Sequence, residues 1–128
     1  MKLFSFPPEG AIFILGALGY PLLELLWRRR THWSMSLAGG ICMVLLLIVS
    51  RLPFSQPILW ILGALSITAV EFTIGCIVNR WLHLGVWDYS ALPFNLLGQI
   101  SLPFTLLWFG LSIPGISLCQ IIDNVLPR

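Results

Sequence analysis

Glu71 is the residue around which chemistry in this chain would be built. It sits inside an apolar run, about two turns from its end, on one helical face with Ala64, Thr68, Gly75 and Asn79. A carboxyl group in such surroundings needs a partner or a purpose. It could handle a proton or a cation, or touch a ligand; it could equally serve as an interhelical hydrogen-bond partner. Asn79 follows, then an aromatic-rich connector carrying Asp88, then Asn95 and Gln99 where the next apolar run begins. Glu71, Asn79, Asp88, Asn95 and Gln99 are therefore the set that could bind a small polar molecule or move a proton.

Earlier in the chain Gly16, Tyr20, Glu24 and Arg28 recur every four residues and share a face. Glu24 and Arg28 can pair there, which lowers the cost of a carboxylate near the membrane boundary. Arg28 could also act as charge partner to the main site. His32 and His83 could form a proton relay with Asp88, although histidines near an interface also serve local hydrogen bonds. A nucleophile beside a base would mark a hydrolase. Ser34 next to His32, and Ser90 with His83 and Asp88, are the only approximations to one, so an enzyme is not expected. Cys42, Cys76 and Cys119 each lie in an apolar stretch without Cys-x-x-Cys or Cys/His spacing. They read as buried free thiols, with no metal site. Neither a Walker A motif nor Gly-x-Gly-x-x-Gly occurs, so no cofactor is expected.

The elements that must hold these residues are membrane helices. Of the 128 residues, 58% are hydrophobic and 9% charged, and mean hydropathy is +0.94. That composition makes the bilayer the solvent. A net charge of +2 leaves no footprint for nucleic acid. Apolar runs predict spans over about 11–27, 35–50, 57–78 and 92–112, with an interfacial helix over about 116–126, in one transmembrane domain covering 1–128. The short turn after Arg28–Arg30 makes spans one and two an antiparallel hairpin. Gly39 and Gly40 let another backbone approach closely. Pro103 is expected to kink the fourth span beside Gln99, and Pro114-Gly115 to end it. The fold class is thus all-α, a four-helix transmembrane bundle of a multi-pass cell-membrane protein.

Four spans put Arg28, Arg29, Arg30 and Arg80 on one side and Lys2, Arg51 and Arg128 on the other. The positive-inside rule makes the first side cytoplasmic. All the polar residues singled out above then fall in the cytoplasmic half or just outside it.

Several of these stretches carry a family resemblance. His32-Trp33-Ser34-Met35 with Gly39-Gly40, then Glu71-x-x-x-Gly75-x-x-x-Asn79, then Trp87-Asp88-Tyr89-Ser90, then the segment Pro93–Phe104 resemble the putative ABC-transporter type IV family. Those are small bacterial integral membrane proteins described as permeases, and the resemblance runs from about Gly19 to Trp108. It implies a transporter or permease component that encloses a path as a homo-oligomer or with separate transporter subunits. Its partners would be membrane lipids and a small-molecule substrate. Two other functions stay open: a protein or enzyme acting on lipid headgroups through His32, His83, Asp88 and the arginines, and a structural or accessory subunit.

Overall fold

The computed structural model describes residues 7–28 and 32–126. Its helices are α1 (Pro8–Arg28), α2 (Trp33–Ser50), α3 (Gln56–Gly75), which runs on into a π-helical turn at Cys76–Trp81, and α4 (Leu102–Val125). Four helices, α3 with its π turn counting as one, are long and apolar enough to cross a membrane. The fold is all-helical, as the sequence pattern requires.

α2 is the central element and touches each of the other three helices. Half of its span is buried, against 17% for α1 and 22% for α4. The closest approach joins α1 to α2 at Gly16 and Gly39. A methyl group at Gly39 would run into the Gly16 carbonyl oxygen, and one at Gly40 would meet the Phe13 ring 2.6 Å away. The glycine pair therefore does what its position in the sequence predicts. Around this contact Ile12, Leu46, Leu47, Leu59, Ile67, Trp108 and Ile116 form the main core. Thr68 and Thr105 hydrogen-bond at 3.1 Å between α3 and α4.

The fourth span departs from expectation at both ends. It starts at Leu102 rather than near residue 92, because Ser101 caps it: the Ser101 hydroxyl accepts from Phe104 N at 3.4 Å, and Pro103 occupies the first turn. A proline there replaces an N–H that would be unbonded anyway, so Pro103 starts the helix instead of kinking it. At the other end α4 passes through Pro114 to Val125, and residues 116–125 are the end of α4 rather than a separate interfacial helix. Packing beyond the proline outweighs the lost backbone bond. Gly115 lies against Leu46, Ile116 and Cys119 are fully buried, and Cys119 Sγ reaches the Met43 carbonyl at 3.9 Å.

At the end of the bundle where α1 begins and α4 ends, Arg51 ties three elements together. Its guanidinium donates to both carboxylate oxygens of Asp123 (2.9 and 2.7 Å) and to Glu9 Oε1 at 2.8 Å. The hydrogen bonds to Asp123, then to Glu9, push the Arg51 pKa further up, so it stays cationic throughout the physiological range. Sequence reasoning treated Arg51 only as a loop charge.

Candidate functional site

The other end of the bundle holds the polar residues. Here α3 widens: Leu82 N bonds to Ile77 O at 2.9 Å and Leu84 N to Val78 O at 2.8 Å. Such wide turns recur at functional sites. The widened turn carries Asn79 and Arg80, and the connector 82–101 folds back over it.

Three positions on α3 hold that connector, and they are the stripe picked out by sequence spacing. Glu71, 8% exposed, accepts from the Tyr89 hydroxyl at 2.8 Å and from the Trp108 indole Nε1 at 3.2 Å. Gly75 leaves room for the Gln99 side chain and the Trp87 ring; a Cβ there would sit 2.7 Å from Gln99 Oε1. Asn79 donates to Gln99 Oε1 at 2.8 Å and accepts from the backbone N–H of Val86 (2.6 Å) and Trp87 (3.3 Å). The Trp87 indole then donates to the Gln99 carbonyl at 3.0 Å.

The connector also bonds to itself. Asp88 Oδ1 accepts from Ser90 N at 2.9 Å, and Tyr89 N donates to the Gly98 carbonyl at 2.7 Å. Asn95 donates to the Leu92 carbonyl at 2.9 Å and accepts from Gly98 N at 3.2 Å. The Ser90 N–H is the chief reason the Asp88 carboxyl is held below its ordinary pKa. Three non-glycine residues, His83, Phe94 and Leu97, adopt positive φ near 55°. That is an uncommon conformation for such side chains, held here by the surrounding bonds.

Between connector and widened turn lies an open depression of about 630 Å³, within the size range of small-molecule sites. Asn79, His83, Asp88, Asn95 and Gln99 all line it, together with Arg80 and Ser90. Five of the residues singled out from the sequence thus converge on one place, in two kinds of role. Asn79, Asn95 and Gln99 spend their polar atoms on the protein and form its floor. The Arg80 guanidinium and the His83 ring have no hydrogen-bond partner among the described residues, and the Asp88 carboxylate is bonded within its own turn by Ser90.

Glu71 lies outside this depression, behind Tyr89. Rings surround it: Tyr89 stacks on Phe104 at 4.5 Å, and Trp108 meets the edge of Tyr20 at 6.2 Å. Glu24, also 8% exposed, is within electrostatic reach of Glu71. The expected partner Arg28 cannot be placed against either acid, since its side chain lies outside the described residues, as do Arg29 and Arg30. His32 is the N-cap of α2, where its Nδ1 accepts from Ser34 N at 3.2 Å. His83 stands on the depression with Asp88.

Tyr89, Trp87 and Trp108 are polar partners that the sequence pattern did not single out. The available signal was that a buried Tyr or Trp needs an acceptor for its O–H or N–H, and Glu71 is the natural one. Among the described residues no group of His, Cys, Asp and Glu could hold a metal ion. No curated protein and no solved structure matches the chain. A family model described as "Putative ABC-transporter type IV" matches residues 11–126, nearly the whole of it. With four helices able to span a membrane and this match over most of its length, the chain belongs to the putative ABC-transporter type IV family of membrane proteins.

Proposed function

We propose that this chain is a permease-like component of the cell membrane whose binding site is the depression under the connector. One observation carries this reading. The Arg80 guanidinium that lines the depression has no hydrogen-bond partner among the described residues, and the Asp88 carboxylate is bonded only within its own turn, to Ser90, while the neutral amides beside them bond across the connector. A purely structural network would be expected to pair its charges as well, as Arg51 does at the opposite end.

In this reading Glu71 governs the connector rather than touching the solute. Its bond from Tyr89 fastens the lid, and protonation of the carboxyl or arrival of a cation would weaken it. The positive-inside rule places the site on the cytoplasmic face. Completing a path through the membrane would require further copies or separate subunits, since four helices enclose little beyond their own core.

The test is uptake of a panel of labelled polar solutes by inverted membrane vesicles enriched in the chain. At least one solute should accumulate, and accumulation should be lost in Glu71→Gln and Asp88→Asn with melting temperature in detergent kept. If Glu71→Gln is fully active, the gating role fails. If no solute responds to the presence of the chain, the permease reading fails.

A further inference from the structure

Leu97 lines the depression, and the stretch of chain that forms it exposes further apolar side chains where a water-facing loop would carry polar ones. Phe94 is 82% exposed and Trp81 74%, and Leu82, Leu84, Leu96 and Leu97 are about half exposed. Phe94 and Leu97 both hold positive φ, a strained conformation for bulky side chains. Exposed apolar side chains on the same connector as a polar bowl, at the end of a membrane-spanning helix, belong at the level where acyl chains meet headgroups.

The bowl offers charge of both signs. Arg80 presents a guanidinium with no acceptor among the described residues, suited to the planar, two-point recognition of a phosphate. Asp88 presents an exposed carboxylate to the depression, bonded within its own turn to Ser90 and with no cationic partner among the described residues. We propose that the depression binds the zwitterionic headgroup of a phospholipid, its phosphate on Arg80 and its ammonium on Asp88, with the acyl chains against Phe94 and Leu97. This rests on the depression being the binding site of the permease-like component, and it names the ligand class of that site.

Purified full-length chain in detergent would be offered equal amounts of phosphatidylethanolamine and phosphatidylglycerol, and retained lipid read by native mass spectrometry. The zwitterionic lipid should be retained in preference by about tenfold, the scale of one charge-assisted hydrogen bond. Asp88→Asn should bring that ratio close to one. Arg80→Gln should lower retention of both lipids, and Arg80→Lys should restore part of it. An unchanged ratio in Asp88→Asn, or equal retention in Arg80→Gln and the parent chain, overturns the proposal. So does displacement of the lipid by soluble phosphoethanolamine at equal concentration, which would make the ligand a free phosphate ester. Both residues are exposed, so melting temperature should not move, and a fall in it would assign the effect to folding and overturn the proposal for that residue. Vesicle uptake is a separate readout: solute flux without lipid preference sinks this inference alone, and lipid preference without flux sinks the permease reading alone.

Discussion

Removing the Asn79 side chain tests how the connector is held. Asn79→Ala deletes the donor to Gln99 Oε1 and the acceptor shared by Val86 N and, at longer range, Trp87 N. Gln99 is only 4% exposed, so its oxygen is left buried without a donor, a loss of about 1–3 kcal/mol. The Val86 N–H is half-buried and water can replace its partner, which adds a few tenths at most. Membrane hydrogen bonds run weaker than their soluble counterparts, so about 2 kcal/mol is the working value. That corresponds to a roughly thirtyfold shift toward the released connector. Hydrogen exchange at residues 86–99 should accelerate by about that factor, while amides in the Leu46–Leu47 region of α2 stay protected. The cycle Asn79→Ala, Gln99→Ala and the double variant should give a coupling energy of about 1 kcal/mol. Coupling below about 0.3 kcal/mol, with unchanged exchange in the connector, would refute the assignment of Asn79 as its fastening.

Other perturbations follow from the same geometry. Arg51→Met leaves Asp123 without its bidentate partner, and the melting temperature in detergent should fall; since Arg51 is partly exposed, about 1–3 kcal/mol is expected, less at high salt. Gly39→Ala forces α1 off α2 at the Gly16 carbonyl and should destabilise the bundle by about 1–3 kcal/mol, whereas Gly19→Ala, with open space around it, should be silent in the same melting experiment. Asp88 has a lowered folded-state pKa, so its contribution is present above the unfolded value and lost as pH falls through the folded one. The Ser90 amide should therefore stay protected at mildly acidic pH and lose protection only below the usual carboxylate range, as read by amide exchange.

The parts of this architecture legible in the sequence were those governed by local spacing. The four apolar runs, the glycine pair at Gly39–Gly40 and the Glu71–Gly75–Asn79 stripe needed only helical periodicity to find. The connector was misread because Asn95 and Gln99 also fit a helical period, and nothing local says that Asn79 claims Gln99 from twenty residues away. The start of α4 could have been found, since Ser101 followed by Pro103 is a helix-opening signal. Pro114 misled for a different reason: what carries α4 past it is tertiary packing on Leu46 and Met43, absent from any local window. The Arg51 cluster joins residues 42 and 72 positions apart, which charge counting by loop cannot reveal.

The Arg51 cluster also bears on how the bundle can move. It pins the far ends of α1 and α4 to the α2–α3 turn with charge-assisted bonds, whereas the connector end is held by single neutral bonds and one carboxyl. A bundle fastened firmly at one end behaves as a lever with its fulcrum at Arg51. α4 has 24 residues, so its arm is roughly 36 Å long. A tilt of about 5° at the fulcrum would carry its Ser101 end through about 3 Å, as much as the length of the Tyr89–Glu71 bond. Small rotations at the charged end would thus be delivered, magnified, to the lip of the depression.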